Sequence, residues 1–275
     1  MKRSPFARSR RLSLPAGVAV LVIALCCQTS FAQQPFITDD ADVTPRHKFH
    51  FEFSNEFDVL QRASFPSLKQ NVAEFELDYG LFENVEIGVV APLITIVNDR
   101  TDAIRSPTGI GDMSVALKYN FLKEREGSRL PAMAITASFE VPTGSVKRQL
   151  GSGLFDFYVN GILQKSISKK TMLRLNGGLL FSGNQTIGVE GVSARGLVLT
   201  GGASLVRQFT PKLDLGVEIN GASTKNFNLA KSRFVFAAGG NYKFKSNMTF
   251  DFALVAGRYT ASPRAGVQLG ISIDF

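Results

Sequence analysis

From Lys48 to the end of the chain, apolar and polar residues alternate with period two, in segments about ten residues long. Successive side chains of a strand point to opposite sides of its sheet, so this pattern describes strands with two unlike faces. About ten residues is also the length a tilted strand needs to cross a bilayer. Twelve such segments follow one another. The first sets Phe49, Phe51 and Phe53 against His50, Glu52 and Ser54, and the second sets Phe75, Leu77 and Tyr79 against Glu74, Glu76 and Asp78. The last carries Val267, Leu269, Ile271, Ile273 and Phe275 on one face, with Gln268, Ser272 and Asp274 on the other.

A soluble β-sandwich alternates in the same way, and three further features separate the two folds. Connections alternate in length. Residues 81–84, 123–129, 166–170, 210–211 and 245–247 are short, while 59–69, 95–110, 142–152, 183–194 and 223–231 are long. Short periplasmic turns and long outer loops are the rule for outer-membrane barrels. The last outer connection, 260–263, is short and breaks that pattern. Tyr79, Tyr119, Phe121, Phe209, Tyr242, Phe244 and Phe275 gather where descending strands meet the periplasmic interface, as half of an aromatic girdle. No charge interrupts the middle of the apolar set, where a Lys or Arg facing lipid would cost roughly 2 to 4 kcal/mol. The expected fold is therefore all-β: a transmembrane antiparallel β-barrel of about twelve strands over residues 47–275, in the cell outer membrane. It must close, because an open edge in hydrocarbon strands unpaired N–H and C=O groups. The apolar alternation ending on Phe275 resembles the C-terminal signal read by the barrel-assembly machinery.

The first 32 residues have a different plan. Lys2, Arg3, Arg8, Arg10 and Arg11 precede an apolar run from Leu14 to Cys27, and Ser30-Phe31-Ala32 supplies small residues for cleavage. This is the layout of a secretory signal peptide, with the cut expected after Ala32. The run is short of the roughly 20 residues that a spanning helix requires. Residues 33–46 are then expected as a periplasmic N-terminal segment ahead of the barrel, a solvated tail first and a partial plug of the lumen as the alternative. Both cysteines, Cys26 and Cys27, lie in the leader, so neither disulfides nor thiolate metal sites are expected in the fold. The leader's five basic residues also account for most of the net charge of +8. What remains is scattered, which argues against nucleic acid as a partner.

The polar faces carry the candidate functional residues. Glu52, Glu74, Glu76, Asp78, Glu86, Asp112, Glu140, Asp156, Asp214, Glu218 and Asp251 face Lys118, Arg174, Arg233, Lys243 and Arg264. They are expected to line the lumen, either pairing across it or biasing a water path towards cations. On the outer loops, Arg62, Lys69, Arg100, Arg105, Lys147, Arg148, Lys225 and Lys231 outnumber Asp99, Asp102 and Glu190, which suits contact with lipopolysaccharide phosphates. Catalysis finds little support. The histidines, His47 and His50, sit at odd spacing and point to opposite faces, so they cannot share a site. Asp39, Asp40 and Asp42 lack the spacing and the turn glycine of a calcium loop. Gly109-Ile110-Gly111 leads into a strand rather than a helix and so is no phosphate loop. No cofactor or metal is expected.

Several short motifs carry a family resemblance. Gly109-Ile110-Gly111-Asp112 leads into Leu117-Lys118-Tyr119, Val141-Pro142-Thr143-Gly144 closes the fifth strand, and Gly151-Ser152-Gly153 precedes Asp156. Pro35-Phe36-Ile37-Thr38-Asp39-Asp40 is familiar from related exported proteins. Together these resemble a family of outer-membrane transporters linked by name to meta-cleavage phenol degradation (the MetA pathway). The resemblance implies a channel for passive uptake of small solutes, aromatic or hydrophobic ones among them, with no established site residues. The competing expectation is a structural or interaction barrel with a closed lumen, acting through its outer loops.

Overall fold

The computed structural model describes residues 35–61, 68–98, 107–184, 193–224, 232–259 and 261–275. The expected signal peptide, and the loop residues Arg62, Asp99, Arg100, Asp102, Arg105, Glu190, Lys225 and Lys231, lie outside these.

Thirteen strands form one antiparallel sheet. They are β1 (Phe49–Val59), β2 (Leu68–Phe82), β3 (Val85–Asn98), β4 (Thr108–Ile110), β5 (Met113–Leu122), β6 (Ala132–Val141), β7 (Asp156–Ser168), β8 (Thr171–Asn184), β9 (Ser193–Thr210), β10 (Leu213–Thr224), β11 (Arg233–Lys245), β12 (Met248–Arg258) and β13 (Ala265–Asp274). Consecutive strands pair, except that β4 and β5 both pair with β3, and β1 also pairs with β13, from His50 opposite Asp274 to Val59 opposite Ala265. That pairing closes the sheet. The barrel has twelve staves, because β4 and β5 are two pieces of one. Leu93 to Thr95 of β3 pair with β4, Val85 to Val90 pair with β5, and Gly111-Asp112 breaks the stave between them.

Burial is inside out, as lipid outside demands. Leu117, Phe139, Leu175, Leu205, Val217, Phe236, Leu254 and Leu269 are exposed on the outer face. Glu52, Asp78, Lys118, Arg174, Glu218 and Asp251 are buried within. The aromatic set is exposed at one end, with Tyr119, Phe121, Phe209, Tyr242, Phe244 and Phe275 each at least 39% accessible. At that same end lie the tight turns at 83–84, 169–170, 211–212 and 246–247. The pairing register slips by one residue beside each of these, and also beside the β5–β6 connection. Such bulges add local twist, which helps a sheet to curl shut.

Two glycines shape the interior. Asp78 stands opposite Gly88 and Asp58 opposite Gly266 in the strand register. A side chain on either glycine would collide with the aspartate's carboxylate. Each carboxylate therefore lies flat across the neighbouring strand instead of reaching towards the barrel axis.

Candidate functional site

The expected solvated tail is instead inside the barrel. Residues 35–46 enter the lumen at the turn end, where Arg46 bridges to Gly80 and the His47 N–H donates to the Gly80 carbonyl at 2.8 Å. Any side chain on Gly80 would strike the backbone of Thr44 and Pro45. Further in, Ala41 is wholly buried against Ala132, Ala134 and Ile162. Phe36 packs among Val206, Val235, Ala237 and Val255, inward residues of β9, β11 and β12. A Cβ on Gly216 would lie 2.9 Å from the Phe36 ring, so the glycine makes that seat.

Backbone polar groups of a segment without strand partners must be satisfied by the wall. Glu218 accepts from the Ile37 N–H at 3.2 Å and the Thr38 N–H at 2.5 Å. Glu86 accepts from the Thr44 N–H at 2.6 Å, Gln164 from the Ala41 N–H at 3.4 Å, and Asn120 donates to the Ala41 carbonyl. Charges lock the middle. The Lys118 ammonium lies 2.9 Å from Asp39, 3.6 Å from Asp40 and 3.5 Å from Glu86, and Arg174 lies 3.3 Å from Asp40. Buried charges this close hold only when each is compensated, and here two wall cations meet three carboxylates. Wall acids and wall bases do meet here, Glu86 with Lys118, but the inserted segment supplies carboxylates as well. Lys118 and Arg174 are bridged by aspartates of the inserted segment, and Glu86 is the one wall carboxylate in the network.

Towards the loop end the described residues leave part of the lumen open. A cavity of about 340 Å³ stands on the inserted segment, with Ile37 and Thr38 as part of its lining. Its walls mix apolar Leu180 and Val198 with neutral hydrogen-bonding groups of Tyr158, Asn176, Thr200 and Asn220. Glu140, Asp156 and Arg233 also border it. The Tyr158 hydroxyl meets Thr200 at 3.1 Å, and the Thr38 hydroxyl is buried with no protein partner.

Asp112 departs from its expected role. It sits in the break between β4 and β5, and its carboxylate faces a loop rather than the lumen. Oδ1 accepts from the Gly144 N–H at 2.8 Å and Oδ2 from the Ser152 N–H at 2.7 Å. Thr143 Oγ1 donates to the Gly111 carbonyl at 2.8 Å and accepts from the Met113 N–H at 3.0 Å. Three sequence motifs, at 109–112, 141–144 and 151–153, meet at this one carboxylate.

A family model described as "Putative MetA-pathway of phenol degradation" matches residues 36–275. The chain belongs to this family. The match spans both the barrel and the inserted segment from Phe36 onward. No curated protein matches the chain. Among solved structures, an outer membrane channel from Pseudomonas putida F1 is similar with a TM-score of 0.68 at 13% identity, covering 86% of this chain and 98% of that one. The NanC porin is similar at 0.55 and 9% identity, covering 81% and 98%, and the KdgM porin at 0.51 and 10%, covering 82% and 99%. At such identities the likeness shows the fold: the outer-membrane β-barrel shared by channels and porins.

The remaining expected residues of this family member divide by position. Glu52, Asp78 and Asp251 are buried on the inner wall around the β1–β13 seam, and Glu74 and Glu76 are half-buried on β2 beside them. Asp251 accepts from Asn241 at 2.5 Å and from Ser272 at 3.4 Å. His50 Nδ1 meets Asp274 at 2.7 Å across the seam while Nε2 lies 3.6 Å from Glu52, so the histidine ties the first strand to the last. His47 is apart, 3.0 Å from the Tyr79 hydroxyl on the exposed rim. Asp214 is buried on β10, Lys243 is half-buried near the turn end, and Arg264 is half-buried at the loop-end rim, where its N–H donates to the Val59 carbonyl. Among the described residues no group of His, Asp and Glu could hold a metal ion.

Sequence reasoning missed Asp39 and Asp40 as partners of Lys118 and Arg174, and it missed Gln164, Asn120, Tyr158 and Asn220. The available signal was the Pro35–Asp40 motif. Two adjacent acids there match two isolated bases on the inward faces of β5 and β8.

Proposed function

We propose that this chain is an outer-membrane channel for passive uptake of small, largely uncharged solutes, hydrophobic or aromatic ones among them. The observation that carries the reading is the cavity of about 340 Å³ above the inserted segment. Apolar bodies suit Leu180 and Val198, while a hydroxyl or carbonyl suits Thr38, Asn176, Asn220 and Tyr158. A pocket with an apolar body and a few placed polar groups is how proteins hold small molecules. The solute rests above residues 36–44, and passage requires that segment to yield. The protein reaches the membrane through a leader cut after Ala32 and is assembled through its C-terminal strand. Membrane lipid surrounds its apolar face, and lipopolysaccharide meets its basic loops.

Purified protein in liposomes should pass phenol-sized neutral solutes faster than protein-free vesicles, and faster still when residues 35–44 are deleted. A second reading, the closed structural barrel, draws on the same inserted segment, which occupies the lumen beneath the cavity. Flux no greater than that of empty vesicles, both for the full chain and for the deletion, would favour the closed barrel.

A further inference from the structure

The loop between β6 and β7 exposes residues 146–149 but turns Leu150 inward. Leu150, at 1% exposure, is inserted into the mouth against Leu60 of the segment after β1 and against Ile94 and Ile96 of β3, with Val72 of β2 alongside. These residues share the inward parity of Glu52, Glu76 and Glu86, so the leucine packs on the inner wall several strands from where its loop begins. Its seat is cut by Gly109 of β4, where a Cβ would lie 2.9 Å from the leucine's Cδ1. The loop is pinched at its neck. A Cβ on Gly144 would lie 2.8 Å from the Gly151 Cα, and one on Gly151 would lie 2.5 Å from Asp112 Oδ1. Asp112 grips both sides of that neck through the Gly144 and Ser152 N–H groups. Arg148 adds a tie to the Thr108 carbonyl at 2.7 Å. In the strand register Met113 pairs with Val141 and Ser114 with Glu140, and Asp112 stands two residues before Ser114, which borders the cavity.

We infer that the Asp112 clamp and Leu150 form a size-selecting constriction over the mouth of the channel: Asp112 positions the loop, and Leu150 sets the aperture through which a solute reaches the cavity. This rests on the channel reading above and adds its specificity-determining residues. A carboxylate suits the task because it accepts two diverging backbone N–H groups at once, which an amide or hydroxyl cannot do with equal strength. The loop is thereby held by its neck while its tip stays a simple hydrophobic plug.

The test uses the full chain with Ser138, which borders the cavity on β6, changed to cysteine. Residues 33–275 contain no other cysteine. Intact cells are treated with uncharged maleimides of increasing bulk, and heat-modifiable migration on gels reports that each barrel is folded. The smallest reagent should label the Ser138→Cys protein at the same rate with or without further changes. With Leu150→Ala the bulky reagents should react clearly faster than with the parent, because the side chain that fills the opening is gone. Asp112→Asn should give a smaller gain, and Asp112→Glu should restore the size cut-off at least in part. Equal rates for bulky reagents in all folded variants would overturn the inference and leave the channel reading standing. If no reagent of any size reaches Ser138→Cys in any variant, both fall.

Discussion

The two halves of the lumen have the same wall, built from the same alternation, and they are furnished differently. Towards the turn end the inward residues are ionic or strongly hydrogen-bonding, Glu86, Lys118, Gln164, Arg174 and Glu218, and chain fills the space between them. Towards the loop end Tyr158, Asn176, Leu180, Val198 and Thr200 surround an open cavity. Buried charge is stable only with a partner at hand, so the ionic half had to be the occupied half. The loop-end lining is mostly neutral and partly apolar, with its charges confined to Glu140, Asp156 and Arg233, and so carries less of that penalty. The contrast teaches where this barrel spends rigidity and where it leaves room.

The largest break in that contrast should come from Lys118→Met. It leaves Asp39, Asp40 and Glu86 without their shared cation, a loss of about 3 to 5 kcal/mol for a buried network. The inserted segment should detach, and single-channel conductance in planar bilayers should rise sharply while heat-modifiable migration stays that of a folded barrel. Phe36→Ala comes next. Emptying the seat at Gly216 should cost up to about 3 kcal/mol of docking, at the low end for a buried aromatic because part of the segment can collapse into it. Faster hydrogen exchange at residues 36–44, with unchanged exchange in β5 and β8, would mark the effect as local.

Val198→Trp should sharpen the contrast from the other side. It fills the cavity, so flux of aromatic solutes should fall several-fold while the inserted segment keeps its exchange protection. If the segment loosens as well, the two halves are coupled rather than independent.

The smallest effect is expected at Glu124, on the β5–β6 connection. Burial would raise this carboxyl, but the Lys165 ammonium at 2.6 Å and the Ser166 N–H at 2.9 Å outweigh it and hold it below the usual glutamate range. A carboxylate lowered in the folded state stabilises above its unfolded pKa of about 4.3, and that contribution fades as pH falls through the folded value. Glu124→Gln should therefore lower thermal stability slightly at pH 7, by about 0.2 to 1 kcal/mol for a pair this near the surface. The difference between mutant and parent should vanish in acid.

The barrel itself was legible because its cause is local. Alternation at Phe49 to Ser54 or Val267 to Asp274 states the face of every residue, and turn spacing states the topology. Strand number, the closing pair and the outward aromatics follow from that. Two things were not legible. The inserted segment has no period and no strand partner, and its ties run to Lys118, Arg174 and Glu218, some 79 to 180 positions away. Nothing in the local pattern distinguishes such a segment from a solvated tail. Asp112 was misplaced for a different reason. Its parity matches the inward set, but two residues of broken stave free it to turn towards a loop that the alternation says nothing about.

The pairing of buried aspartates with side-chain-free residues on the next strand bears on how the interior is sized. At Asp78 and Gly88, and again at Asp58 and Gly266, the carboxylate is laid down along the wall like a tile rather than projecting like a spoke. The bore of the tube is therefore set by what is missing from the adjacent strand as much as by the charged residue itself. A single methyl added at Gly88 would tip the Asp78 carboxylate inward and narrow the passage without altering one charge in the chain.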